Sequence, residues 1–401
     1  MGVIKVRKVL FISSFITMRH TGGGIASSRN LDLCKSLFNA DKVDVIAFSY
    51  LHKNNYDGEN IKILPGYKNK LVTFYNNLCF FSGGLSLNNV NDIKLLSRDY
   101  DYFFLDSSLL GRISKIIKLE KSKSFICVFF HNVEFEFNKI RMKTTRQIWL
   151  LPLLLSSYFN EKIACKFSDI IISYNKRDSE KIRQLYGRGA DLIVPITLED
   201  KFDSSKVVNN ASSEIIYLFL GSYFFANVDG ILWFVNKVLP NVPGKLQIIG
   251  TGMEKLRNLI DNPRVDIIGF VDDVSSYYYN ADFVVMPIFK GSGIKIKTAE
   301  ALMFGKVILG TREAFEGYEI DNYDIGKQCD SAEEFVSAIN YYISLNLVKK
   351  FNPASRELFL NKYCACNTKR IISNYFNSST KNGIYNKMQK LMLQEHKKNN
   401  V

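Results

Sequence analysis

Short apolar runs alternate with longer stretches of helical spacing along almost the whole chain. Residues 9–13, 43–48, 102–105, 125–130 and 169–173 are predominantly apolar runs, rich in β-branched and aromatic side chains. Runs apolar on both faces and separated by helix-length segments predict a parallel, doubly wound sheet, because crossover helices cover both of its sides. A second series of the same kind follows at 215–220, 247–249, 265–268, 283–286 and 307–309. Between the two, PITLEDKFDSSKVVNNASS loses its apolar periodicity to serine and asparagine and reads as an interdomain linker. The expected organisation is a first α/β domain at 1–196, a linker at 197–213, a second α/β domain at 214–350, and C-terminal helices with a basic tail at 351–401.

Composition supports two cores and removes several classes. At 401 residues, with 47% apolar and 13% aromatic content, the chain is long and hydrophobic enough for two folded domains. Seven cysteines, an odd number placed in apolar segments, fit a reducing compartment. Cys364 and Cys366 stand too close together and too isolated for a zinc site, and four histidines form no metal constellation, so no metal is expected. MGVIKVRKVLFISSF has the charge and apolar run of a short signal segment, but the run is only about six residues and no small-residue cleavage site follows, which favours a buried first strand. No window reaches the roughly 18 to 20 apolar residues that span a bilayer. The expected location is the cytoplasm, with peripheral attachment to the inner face of the cell membrane left open.

Charge changes the picture further. The formal net charge is +14, and half of that surplus lies in residues 361–401, where eight Lys or Arg face Glu395 alone. Such a tail suits an anionic membrane surface; a solvated chain end accounts for it equally well. Nucleic acid is not an expected partner, since no helix-turn-helix, zinc-finger or aromatic RNP pattern accompanies the basic residues.

The densest chemistry lies in PIFKGSGIKIKTAEALMFGKVILGT, residues 287–311. Gly291 and Gly293 follow an apolar run and let backbone approach a ligand, while the helical spacing beginning near Ile296 directs free N–H groups toward Lys290, Lys295 and Lys297. That combination suits a pyrophosphate. Glu300, one turn into the helix, suits two adjacent hydroxyls of a ribose. The plainer reading of the same residues is a solvated lysine face with a carboxylate near a helix start.

This run resembles the nucleotide-sugar site of family 4 glycosyltransferases, whose GT-B fold is two facing Rossmann-like doubly wound domains. Glu300 matches the second glutamate of that family's E-x7-E pair, which holds the nucleotide ribose, and the resemblance implies donor contacts for Ser292 and Ile294 as well. Ser292 occupies the place of the first glutamate, the one that contacts the donor sugar; GSGIKIK before Glu300 is similar to a branch of the family in which that glutamate is replaced. In GSYFFANVDGILWFV, Gly221 follows a strand and a helix is expected to open near residues 227–229, with Asp229 suited to capping or to a first-turn charge. The family's Arg and Lys in this turn are missing between Gly221 and Leu232, so the loop lysines are the expected substitutes, with Lys295 stabilising charge on the departing diphosphate. In IIGFVDD the resemblance implies that the backbone of Val271 reads the base edge.

In the first domain, Gly22, Gly23 and Gly24 precede a helix expected from about Ile25, and their spacing does not fit a dinucleotide GxGxxG. The resemblance implies a glycine loop beneath the donor phosphates or transferred sugar. His131, in FFHNVEFEF, follows an apolar strand and is therefore expected at the sheet's carboxyl edge; HNVE is similar to the family's first-domain histidine motif, which implies contact with the donor sugar. Glu134 reads as an orienter of His131 or a helix cap, and Asp106 with Ser107 as acceptor-side candidates. The resulting expectation is a metal-independent glycosyltransferase, retaining by resemblance, that moves a hexose-type unit from a nucleotide diphosphate sugar to a hydroxyl of a bacterial surface glycan on a lipid-linked acceptor. A nucleotide-sugar epimerase, a noncatalytic nucleotide-sugar-binding subunit and, third, a nicotinamide dehydrogenase stand as alternatives.

Overall fold

The structure, a computed structural model, describes residues 9–18, 21–38, 43–49, 61–66, 69–207, 214–291, 293–318, 320, 324–367 and 370. They form two compact units, one reaching Val194 and the other spanning Pro195–Asn367.

The first unit is built on β1 (Val9–Ser13), β2 (Val43–Ser49), β3 (Ile61–Pro65), β4 (Tyr102–Leu105), β5 (Phe125–Phe130), β6 (Ile170–Ser173) and β7 (Leu192–Ile193), all parallel, in the order β3-β2-β1-β4-β5-β6-β7. The crossovers carry α1 (Gly22–Phe38), α2 (Lys70–Leu78), α3 (Leu87–Leu96), α4 (Gly111–Glu120), α5 (Glu134–Thr145), α6 (Leu151–Phe167) and α7 (Lys176–Tyr186). β1, β4, β5 and β6 are buried at every position. Successive strand residues point to opposite faces, so Leu10, Ile12, Phe103, Leu105, Ile126 and Val128 enter one core layer, while Val9, Phe11, Tyr102, Phe104, Cys127 and Phe129 enter the other.

The second unit repeats the scheme with β8 (Ile216–Leu220), β9 (Lys245–Ile249), β10 (Val265–Gly269), β11 (Phe283–Met286), β12 (Val307–Gly310) and β13 (Gly326–Gln328), in the order β10-β9-β8-β11-β12-β13. Its helices are α8 (Phe225–Lys237), α9 (Ser275–Asn280), α10 (Ile296–Met303), α11 (Ala332–Ser344) and α12 (Pro353–Leu358). Tyr217, Phe283 and Tyr342 pack together as its aromatic centre, with Tyr217 stacked on Phe283 at 5.9 Å.

The α/β class and all ten sequence-predicted strands are present. β3, β7 and β13 escaped the sequence pattern because they are short edge or near-edge strands, half-exposed in β3, and lack a continuous apolar run. Residues 197–207, expected as linker, are anchored on the second unit: Leu198 bridges to Cys364, Arg356 pairs with Asp200, and Tyr279 Oη accepts from the Asp203 amide at 2.7 Å. Residues 353–363 likewise belong to this unit, α12 packing on α10. Residues 208–213 of the expected linker, and the basic tail from residue 371 on, lie outside the described residues.

In each sheet the strand order reverses once, between β1 and β4 and between β8 and β11. At such a switch point the crossovers leave toward opposite faces, and the carboxyl ends of the strands open a crevice for ligands. The candidate residues of each unit collect at these two edges.

Candidate functional site

In the second unit the chain leaves β11 at Met286, passes Pro287 and reaches Gly293, whose φ of +68° is left-handed backbone suited to glycine. α10 then starts with no side-chain cap and no acidic residue in its first turn, leaving its first amides and positive dipole end to a ligand. Lys297 Nζ donates to Asn227 Oδ1 at 2.9 Å and stands 4.7 Å from the ring centre of Phe219. A Cβ on Gly221 would lie 2.7 Å from Asn227 Nδ2 and 3.0 Å from Lys297 Nζ, so glycine at the end of β8 is what lets these two side chains meet over the strand. The opening of α8 is at Phe225, with Asn227 in its first turn; Asp229 lies beyond that turn and does not cap it, Phe224 being the capping position.

Burial pulls the Lys297 ammonium down to about 7, the neighbouring Lys295 charge adds to this, and Glu300 opposes it. A bound anion favours the charged ammonium. Affinity for a sugar nucleotide, whose diphosphate keeps its charge over this range, is therefore expected to be full below pH 7. It falls as pH rises above 7, by up to about tenfold per unit until the raised pKa of the complex is passed. Calorimetric titration between pH 6 and 9 checks this; Lys297→Gln should bind more weakly with a flat profile, and a flat profile in the unsubstituted protein would refute the assignment.

Glu300 is half-buried with its carboxyl raised by burial, against the pull of Lys201, Lys297 and the Tyr278 hydroxyl, which donates at 3.5 Å. Lys295, expected to act on the phosphate, has its charge engaged elsewhere: Nζ donates to Glu313 Oε1 at 2.7 Å and to the Gly293 carbonyl at 2.8 Å. Lys290 is exposed. Ile294 is half-buried in the loop, and Ser292 lies outside the described residues. Val271 is half-buried just past β10, and its backbone N–H and C=O have no hydrogen-bond partner among the described residues, as contact with a base edge requires.

Sequence reasoning missed Asn227, Lys201, Tyr278 and Glu313. Glu313 is the most consequential: a Cβ on Gly291 would stand 3.0 Å from its Oε1, so the structure places a carboxylate beside the loop position next to Ser292, where the sequence lacks one. Its signal was position: it follows β12, the parallel neighbour of β11, and adjacent parallel strands bring their carboxyl-end loops together.

In the first unit His131 follows β5 and is buried between the rings of Phe15 and Tyr174, at 5.5 and 5.7 Å. Nε2 donates to Asp106 Oδ1 at 2.9 Å; the carboxylate holds the proton on that nitrogen, which leaves Nδ1 buried and without a partner among the described residues. Asp106 is fully buried, its Oδ1 also accepting from Asn30 Nδ2 at 2.6 Å and its Oδ2 from Ser13 Oγ at 2.7 Å. This corrects its acceptor-side assignment: it orients His131. Ser107 is buried too, its Oγ accepting from the Leu109 amide, so it caps a turn instead of meeting an acceptor. Glu134 neither orients His131 nor caps α5. It is the first residue of that helix, buried and raised by burial, and the helix start is capped from α6 by Glu161, which accepts from the amides of Glu134 and Phe135 at 2.7 and 3.1 Å. Gly22, Gly23 and Gly24 are not a free loop; they form the first turn of α1, because Thr21 Oγ1 accepts from the Gly24 amide at 3.1 Å and caps the helix there.

Residues 214–344, β8 through α11, match the profile of Glycosyl transferases group 1. With its two parallel α/β units the chain has a GT-B fold, and the part of its second unit that this profile matches is similar to group 1 glycosyltransferases. Among individual proteins, it is 24% identical over 253 residues to an uncharacterized 44.6 kDa protein in the cps region of Klebsiella pneumoniae, the match spanning 58% of this chain and 62% of that one. Two solved structures share the fold over 93% of this chain and 100% of their own: Anabaena HepE in complex with UDP and glucose, TM-score 0.66 at 14% identity, and a sucrose-phosphate synthase from Thermosynechococcus elongatus, TM-score 0.70 at 13%. A lipopolysaccharide outer core galactosyltransferase, WaaB, aligns with TM-score 0.61 at 15% identity over 92% of this chain and 99% of that one. Among the described residues no helix is long and apolar enough to cross a membrane.

Proposed function

We propose that the chain is a glycosyltransferase that moves a hexose-type unit from a nucleotide diphosphate sugar to a hydroxyl of a lipid-linked bacterial surface glycan, without a metal cofactor and with retention at the anomeric carbon. The observation that carries the reading is the second unit's cluster: an uncapped helix start, a half-buried lysine over Gly221, and Glu300 one turn along the same helix. Its chemistry fits a diphosphate joined to a ribose, and it lies inside the segment matching group 1 glycosyltransferases. A neighbour in fold that carries UDP and glucose, another acting on lipopolysaccharide outer core, and a relative from a cps region support the donor class and the glycan acceptor.

In this mechanism Lys297 and the first amides of α10 stabilise the negative charge that grows on the departing diphosphate as the anomeric C–O bond breaks, a role a divalent cation would otherwise take. Retention follows if the acceptor oxygen bonds to the face the phosphate leaves, its proton passing to a phosphate oxygen. Glu300 holds the ribose. In the first unit Asp106 keeps the His131 ring in place, and His131 is the candidate there for contact with a sugar hydroxyl. The basic tail adds electrostatic attraction to an anionic membrane.

The test is a melting-temperature screen of the full chain against UDP-, GDP- and ADP-sugars, followed by turnover with lipid-linked acceptors. A ligand at about 100 times its Kd should add roughly 2.7 kcal/mol of stability. Stabilisation by no sugar nucleotide would sink the donor site; stabilisation with neither transfer nor hydrolysis would leave a binding subunit.

A further inference from the structure

α2 is turned inside out. Its Asn76 and Asn77 are buried, while Leu71 and Tyr75 stand 81% and 68% exposed and Phe74 and Leu78 share their outer face at helical spacing. A helix folded only for its own domain's stability buries the opposite set. The outer face does not end with α2: Phe80 packs edge-on against Phe159 of α6 at 4.7 Å, and the exposed stripe continues along α6 through Leu155 and Leu151. Just before α6, Ile148 and Trp149 are 78% and 64% exposed. Apolar surface of this extent marks an interaction site.

Charge decides the partner. Between residues 61 and 90, and again between 137 and 160, there is no Asp or Glu. Exposed cations border the apolar face: Lys70 at the start of α2, Lys143 and Arg146 just ahead of Trp149, and Lys162 and Lys166 continuing the outer stripe of α6. A second copy of the chain would bring the same cations against themselves across a two-fold axis, which disfavours self-association. Anionic headgroups with an apolar layer beneath them complement both features, with Trp149 and Tyr75 suited to the boundary between the two. We infer that the outer face of α2 and the start of α6 docks the first unit on an anionic phospholipid bilayer, its leucines and aromatics entering the acyl boundary and its lysines and arginines meeting the phosphates. None of these residues belongs to the basic tail, and the inference does not depend on the donor assignment.

Sedimentation of the full chain with phosphatidylcholine vesicles, with and without phosphatidylglycerol, tests it. Binding is expected only with the anionic lipid and should weaken with added salt. The triple substitution Leu71→Ser, Tyr75→Ser, Trp149→Ser removes exposed side chains only, so the melting temperature and nucleotide binding should hold while vesicle partition falls on the order of 100-fold. Deleting residues 378–401 should leave the apolar contribution and the tryptophan emission shift of Trp149 on vesicle addition intact. The inference is overturned if the triple variant binds vesicles like the parent, if deletion of 378–401 alone abolishes binding, or if light scattering shows a dimer that the triple substitution dissociates.

Discussion

Glu300→Ala is expected to weaken sugar-nucleotide binding by on the order of 100-fold and to lower kcat/KM at least as much, with little change in melting temperature. The carboxylate is half-buried, and burial already works against its charge. A ligand with two adjacent hydroxyls supplies the donors it lacks, and hydrogen bonds to a charged acceptor contribute roughly 1.5–3 kcal/mol each. Among the described residues the one hydrogen bond its carboxylate accepts from a side chain is from the Tyr278 hydroxyl, at 3.5 Å. Removing it should even relieve the cost of holding a carboxylate there. Calorimetry with the best nucleotide from the melting screen reads affinity, and a parallel titration with the 2′,3′-dideoxy nucleotide separates ribose contact from general electrostatics. The variant and parent should bind the dideoxy form alike. Unchanged affinity for the ordinary nucleotide, with unchanged turnover, would reject a role for Glu300.

The second large effect is on stability. Gly230 lies in α8, and a Cβ there would stand 1.8 Å from the carbonyl oxygen of Pro287 and 2.9 Å from its carbonyl carbon. Those are backbone atoms at the root of the candidate phosphate loop, so neither side can turn away as a flexible side chain would. Gly230→Ala must separate α8 from the loop, and overpacking of this kind costs about 3 kcal/mol or more. For units of this size the midpoint of thermal unfolding should fall by on the order of 10 °C, and nucleotide binding should fall with it because Asn227 on α8 and Lys297 beyond the loop no longer meet. Scanning calorimetry of Gly230→Ala beside the parent decides the matter: superimposed transitions would show that the helix and loop are not in the contact described.

Much of this was legible in one dimension, for a definite reason. A parallel strand covered on both faces must be apolar throughout, so 125–130 and 283–286 announce themselves whatever surrounds them. The loop at 287–297 was legible because glycines, lysines and a helix start have their chemistry in local sequence. What a side chain pairs with was not. Lys295 and Lys297 look equivalent two residues apart, yet Glu313 holds one and Asn227 the other, and those partners arrive from the loop after β12 and the first turn of α8. Asp106 read as an acceptor-side candidate because it follows a strand; β1 and α1 close over it with Ser13 and Asn30.

Sequence by itself settled the two-domain parallel α/β plan and the position of the candidate phosphate loop, since alternation of apolar runs and helical spacing is a property of neighbours along the chain. Only the tertiary structure decided that His131 is held by Asp106, that Glu313 stands beside Gly291, and that α2 shows its apolar side outward. These depend on strand order and on which helix packs beside which. Distances across a parallel sheet link residues 18 to 101 positions apart, and no local pattern records them.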